Sequence, residues 1–283
     1  MRTASQRRDA VHRAMATAAI SERRACRFTG VARATVRYQT MRDDTALKER
    51  LETLALEKPR WGYRRLHWRL ARDGVHVNHK RVQRVYRAAG LQVRRRRRKH
   101  VSRARVPHPP PTRPNERWSM DFVSDTLGNG RMVRVFTLVD DCSRESPGLL
   151  VHDAISAVRI TEFLDTLPAL PTTLVCDNGP EFTSQHLDQW ADARGITVQF
   201  IRPGKPTENC FIESFNGRLR DECLNENWFL DLADAQRTIE AWRIAYNTAR
   251  PHSALDHRTP SEFANSFTDV TTSSPRIPTD RYE

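Results

Sequence analysis

The stretch Trp118-Ser-Met-Asp-Phe-Val-Ser124 alternates in character, placing Trp118, Met120 and Phe122 on one face of a strand and Asp121 on the other. A second stretch, Thr173-Leu-Val-Cys-Asp177, is a short apolar strand that ends in a carboxylate and the turn Asn178-Gly179-Pro180. A carboxylate beside a buried strand costs free energy unless it binds something. Strand ends in α/β folds are also where ligands sit. Working outward, 133–139 reads as a buried strand and 148–151 as a shorter one. A helix is expected over 158–167, another over 184–193, and a strand over 196–200 after Gly195. From about 208 to 246 the pattern is helical, with a break near 225–231. Three strands, a helix, then strands alternating with helices predict an α/β fold, a mixed sheet flanked by helices.

A helix over 208–223 advances by about 100° per residue. On that geometry Phe211, Phe215, Leu219 and Cys223 form an apolar ridge, and Glu208 and Glu222 fall towards it. Glu213 lies on the far side with Asn209, Gly217 and Arg220. It is therefore the acid best placed to meet Asp121 and Asp177 across a cleft. Three such carboxylates offer Mg²⁺ hard oxygen ligands with open positions for water and phosphate. Asp125 lies too far along the strand to join them, and Asp140 and Asp141 read as strand-end residues.

Charge divides the 283-residue chain. Residues 1–111 hold 30 Lys and Arg against 8 Asp and Glu, a net of +22, while 112–283 hold 17 against 26, a net of −9. That asymmetry points to a nucleic-acid-binding front and a back of another kind. In the front, a helix around 6–17, an N-cap at Ser21, a short helix to Phe28, a turn at Gly30 and a helix over 32–38 make a helix-turn-helix candidate. A second unit follows. Leu47, Leu51, Leu54 and Leu56 mark one helix ended by Pro59, 63–72 forms another, and Asn78 caps a third whose Val82, Val85 and Tyr86 face inward. Lys80, Arg81, Gln83, Arg84 and Arg87 occupy the rest of that third helix, and Arg and Gln are the side chains that read major-groove base edges.

Six consecutive basic residues, Arg94 to Lys99, precede a proline-rich spacer ending at Pro114. Arg94, Arg95 and Arg96 are candidate phosphate contacts. The expected organisation is an N-terminal helical segment (1–43), a helix-turn-helix-like DNA-binding domain (44–93), a basic and Pro-rich linker (94–114), a catalytic domain (115–266) and a flexible tail (267–283). The five cysteines are odd in number and widely spaced, which predicts reduced thiols and neither a disulfide framework nor a zinc site. His76 and His79 read as turn residues, since no cysteine pair completes a zinc set. No apolar run is long enough to span a membrane, and His12 and Arg13 interrupt the one candidate core of a secretory signal. Reduced thiols in a cytoplasm are expected.

The segments Trp118-Ser-Met-Asp-Phe, Cys176-Asp-Asn-Gly-Pro-Glu-Phe and Arg202-Pro-Gly-Lys-Pro-Thr-Glu-Asn-Cys-Phe-Ile-Glu-Ser-Phe-Asn-Gly-Arg resemble the catalytic core of the IS-three family of bacterial insertion-sequence transposases. That family belongs with the retroviral-integrase-like enzymes, which share a ribonuclease-H-like fold. Its hallmark is a D, D(35)E pattern, and 35 residues separate Asp177 from Glu213. Tyr246-Asn-Thr-Ala-Arg-Pro-His-Ser-Ala-Leu and Thr259-Pro-Ser-Glu-Phe resemble the family's C-terminal motifs, and 44–92 resembles its upstream helix-turn-helix.

The resemblance implies phosphoryl transfer with two Mg²⁺ ions, Mn²⁺ being an alternative. Asp121 would bridge both ions, with Asp177 on one and Glu213 on the other. Asn209, Asn216 and Arg220, with Lys205 in the preceding loop, become candidate DNA contacts near the metals. The implied partners are terminal inverted repeats, target DNA, further copies of the chain on that DNA, and an upstream-frame product or fusion. The alternative function is a sequence-specific DNA-binding regulator whose catalytic domain is inactive.

Overall fold

The computed structural model describes residues 4–37, 43–93, 111–202 and 209–272. The chain divides into two compact units, Met1–Arg50 and Leu51–Glu283. In the first unit, α1 (Ala4–Ala18), α2 (Glu22–Thr29) and α3 (Arg33–Arg37) bury Val11, Ala25, Cys26 and Val31 together. Ser21 caps α2 by accepting the Arg24 N–H. Gly30 ends it with a positive φ of 65°, a conformation that favours a residue without Cβ. Glu22 then ties α2 to α3 by accepting from both Arg33 and Arg37 at 2.9 Å.

The division between units falls inside α4 (Thr45–Glu57). Leu47, Leu51 and Leu54 of that helix are buried, but Leu56, expected inside, is exposed, because at 100° per residue it leaves their stripe. α5 (Tyr63–Arg72) and α6 (His79–Ala88) follow. Asn78 caps α6 through the Lys80 N–H, and Val82, Val85 and Tyr86 are buried as the pattern requires. Residues 51–93, most of the segment 44–93 read in sequence as a helix-turn-helix-like domain, lie in the same compact unit as the α/β fold. One physical reason is a buried ion cluster. Glu222 accepts from Arg65 of α5 at 2.9 Å and, with both oxygens, from Arg250 at 2.8 Å each.

The sheet has the order β3-β2-β1-β4-β5. β1 (Arg117–Thr126), β2 (Met132–Asp140) and β3 (Leu149–His152) form an antiparallel meander, and β4 (Thr173–Cys176) and β5 (Thr197–Phe200) add in parallel. On one face Trp118, Met120, Phe136, Leu138 and Leu174 pack beneath α7 (Ala157–Asp165) and α8 (Gln185–Asp192). On the other, Val123, Val133, Val135 and Val151 meet α9 (Cys210–Glu222) and α10 (Leu232–Thr248). The alternation of β1 thus feeds two cores from one strand.

The C-terminal motifs act as fasteners. Asn247 both accepts from and donates to the Ser146 backbone, at 3.0 and 2.9 Å. Thr259 and Glu262 form a reciprocal capping box at the start of α11 (Pro260–Thr272), with Pro260 at its first position. α11 extends to Thr272, so the tail expected from 267 is helical over its first six residues. Among the described residues no helix is long and apolar enough to cross a membrane, and all five cysteines are free.

Candidate active site

β1 and β4 run parallel with Ser119 level with Val175. Continuing that register by two residues sets Asp121 level with Asp177, on adjacent strands and the same face. Asp177 is the first residue beyond β4 and is exposed, whereas Asp121 is half-buried within β1. The turn after Asp177 is built around its carboxylate. Gly179 donates its N–H to Asp177 Oδ1 at 2.9 Å, and a Cβ on Gly179 would lie 3.0 Å from that oxygen. Glu181, in the same turn, is gripped by Arg134 of β2 at 2.5 Å, which anchors the turn to the sheet. Sequence reasoning passed over this pair, because Arg134 sits among apolar residues of a strand without any motif to mark it.

α9 stands over the Asp121 face. Asn216 donates through Nδ2 to Asp121 Oδ2 at 2.9 Å, and Arg220 donates to the Ser124 carbonyl at 3.0 Å. Glu213 lies three residues before Asn216, on the same side of the helix and exposed. The opposite side carries the expected ridge, with Phe215, Leu219 and Cys223 buried. Burial pushes the Asp121 carboxyl above the usual carboxylate range. The Phe122 N–H lowers it, the negative charge of Asp177 raises it further, and the Asn216 amide lowers it.

The expected acids are therefore brought together only in part. Asp121 and Asp177 are neighbours and Glu213 stands on the covering helix. Among the described residues, however, no three Asp, Glu, His or Cys side chains converge tightly enough to share an ion. The donor set still fits a divalent cation. Among the described residues no cationic side chain pairs with Asp121 or Asp177, and the buried Asn216 Oδ1 beside them has no hydrogen-bond partner.

Asp140 and Asp141 are buried structural acids. Asp140 accepts the N–H groups of Asn115, Cys142, Ser143 and the Trp118 indole, and Asp141 accepts from Arg117 and Ser119. Among the described residues Asp125 accepts only from the following backbone N–H.

The expected DNA contacts divide by position. Lys80 and Arg84 are exposed on α6, and Arg81 is half-buried. Gln83 and Arg87 instead face a cleft between α6 and the back of α9. Asn209 is buried just before α9, and Asn216 is half-buried and donates to Asp121. Arg220 is exposed beside β1. Arg94, Arg95, Arg96 and Lys205 lie outside the described residues.

Family comparison agrees with this architecture. Residues 42–99 match the HTH-like domain family, and residues 111–206 and 194–260 match two integrase core domain families. The 31.7 kDa protein of insertion element IS407 from Burkholderia multivorans is 51% identical over 251 residues, spanning 87% of this chain and 91% of that one. The 39.2 kDa protein of insertion element IS476 from Xanthomonas euvesicatoria is 42% identical over 268 residues, spanning 93% and 78%. Transposase InsD of insertion element IS2 from Escherichia coli is 29% identical over 244 residues, spanning 78% and 79%. With integrase core domain matches preceded by an HTH-like domain, the chain belongs to the IS-three family of insertion-element transposases.

Proposed function

We propose that the chain cuts a phosphodiester at the ends of its insertion element and joins the freed 3′-OH to target DNA, with Asp121, Asp177 and Glu213 as its catalytic carboxylates. The activity is that of a DDE-type polynucleotidyl transferase. The observation that carries the assignment is a half-buried, uncompensated Asp121, level with Asp177 and held by an amide from the Glu213 helix.

The integrase core family is divalent-metal dependent. Asp121, Asp177 and Glu213 would together hold two Mg²⁺ ions, with Mn²⁺ a workable substitute. Bound there, such a pair activates an attacking oxygen and stabilises a leaving one during in-line displacement. The chain's own residues supply positioning. Asn216 holds the Asp121 carboxylate, Gly179 and the Arg134–Glu181 pair fix the Asp177 turn, and α9 carries Glu213 on the same side as Asn216. Arg220 sits one turn beyond Asn216, where it would meet a backbone phosphate of the strand being cut.

Lys80 and Arg84 on α6, Arg94 to Arg96 by their charge, and Lys205 are proposed to anchor the terminal inverted repeats. Further copies of the chain, and an upstream-frame product or fusion, would complete the assembly on bacterial cytoplasmic DNA.

The test is cleavage and joining of labelled element-end DNA in Mg²⁺ by the wild type, Asp177→Asn and Glu213→Gln. The expected result is loss of both reactions in the variants with end binding largely retained. Variants that still cut and joined would overturn the assignment. A wild type that bound ends yet cut nothing in either metal would instead favour a DNA-binding regulator.

A further inference from the structure

A cleft of about 1170 Å³ separates α5 and α6 from the back of α9. It is distinct from the carboxylate site. Phe211, Ser214 and Arg218 of α9 line it, whereas Glu213, Asn216 and Arg220 occupy the helix face over β1. Arg64, Arg65, Arg87, Arg144, Arg218 and Arg250 all line the cleft, and among the described residues no carboxylate does. Glu222, behind the wall, engages Arg65 and Arg250. Among the described residues Arg87 and Arg218 have no carboxylate partner. Burial and the neighbouring Arg250 push the Arg65 guanidinium down to about 10, a sign of how crowded the positive charge is. Val93 lines the cleft, and the six residues that follow it in sequence, Arg94–Lys99, are all basic. An extended polyanion fits this distribution better than a single small anion.

Flat platforms accompany the charge. Trp68 and His257 are stacked with centroids 4.3 Å apart and planes 19° apart, and Trp68 is 37% exposed. The Arg144 guanidinium lies 3.8 Å over the Phe211 ring. Rings and stacked guanidinium planes beside a basic groove bind unpaired bases, whose faces are open; in a duplex those faces are already stacked. An acidic peptide would use the charge but leave the platforms idle.

We propose that this cleft holds an unpaired DNA strand, its phosphates on Arg87 and Arg218 and its bases on the Trp68–His257 and Phe211–Arg144 platforms. The proposal rests on the transposase reading, in which strands are separated at the element end. It adds a second DNA site to the carboxylate site and ties occupation of that site to the packing of α5 and α6 against α9.

The test uses the full chain and fluorescence anisotropy with labelled oligothymidine of about 20 nucleotides. Trp68→Leu is expected to weaken that binding about tenfold, within the range for loss of one stacking platform. Arg218→Ala should lower the slope of log affinity against log salt by about 0.7, and Arg218→Lys should restore it. Binding of blunt element-end duplex should change by less than about twofold. Unchanged oligothymidine binding in Trp68→Leu and Arg218→Ala would overturn the proposal. So would an equal loss on duplex, or displacement of oligothymidine by polyglutamate at equal charge. Mg²⁺-dependent cleavage by the same wild-type preparation reports on the transposase reading separately.

Discussion

Replacing Glu222 with Ala should be among the most destabilising single changes outside the hydrophobic cores. Its side chain is 8% exposed and that of Arg250 only 6%. The two meet fork to fork at 2.8 Å, and Arg65 adds a third bond at 2.9 Å. Burial alone would raise the Glu222 carboxyl, but hydrogen bonding and charge from Arg250, then Arg65 and Arg218, hold it below the usual carboxylate range. Removing the carboxylate leaves the Arg250 guanidinium buried without its counter-charge and beside two more cations. Breaking a buried pair in this way costs roughly 3–5 kcal/mol. For a unit of this size that corresponds to a Tm lowered by about 6–20 °C.

Urea unfolding followed by tryptophan fluorescence, with Glu222→Gln alongside, gives the measurement. The sign of the pH dependence is fixed too. A depressed carboxyl contributes stability above its unfolded value near 4.3, and that contribution disappears as pH falls through the folded value. The gap between wild type and Glu222→Ala should therefore narrow in acid. A loss below about 1 kcal/mol at pH 7 would refute the reasoning, because the pair would then behave as an exposed one. A greater cost for Arg65→Ala than for Arg250→Ala would refute it as well, since Arg65 is 24% exposed and makes one bond instead of two.

Asp121→Asn should abolish cleavage yet raise the Tm of metal-free protein at pH 7. The raised Asp121 carboxyl imposes a deficit that grows as pH climbs past its unfolded value, and a lower Tm for the variant in chelator would contradict this. His252 is pushed down to about 3 by burial and by Arg250. Between the unfolded value of about 6.5 and about 3, the unfolded chain alone takes its proton, so stability drops as the pH is lowered. His252→Gln should flatten that slope by one proton, about 1.4 kcal/mol per pH unit, and an unaltered slope in urea titrations across pH 6 to 4 would count against it. Lys80→Ala and Arg84→Ala should each weaken end binding across sequences and cut the salt slope on duplex by about 0.9. Salt slopes equal to the wild type would remove α6 from the interface.

The elements were legible in the sequence wherever a strong local rule acts. The caps at Ser21 and Asn78, the turn at Gly30 and the span Tyr63–Arg72 obey short-range sterics and hydrogen bonding, which a few neighbouring residues decide. The alternation of β1 and the apolar ridge of α9 likewise singled out Asp121 and Glu213, because a strand or helix of known period leaves little choice of face. The 35-residue spacing from Asp177 to Glu213 completed the set by family pattern.

What the chain of residues alone left open depends on contacts between distant segments. That Asn216 donates to Asp121, and that Arg134 grips Glu181, follow from sheet register and the seating of α9. The same holds for Glu222, whose helical phase predicts an inward side chain but not the arginines, one from α5 and one beyond α10, that meet it there. Periodicity assigns each side chain a direction, whereas its partner depends on how whole elements pack, and that is settled only when the three-dimensional fold closes.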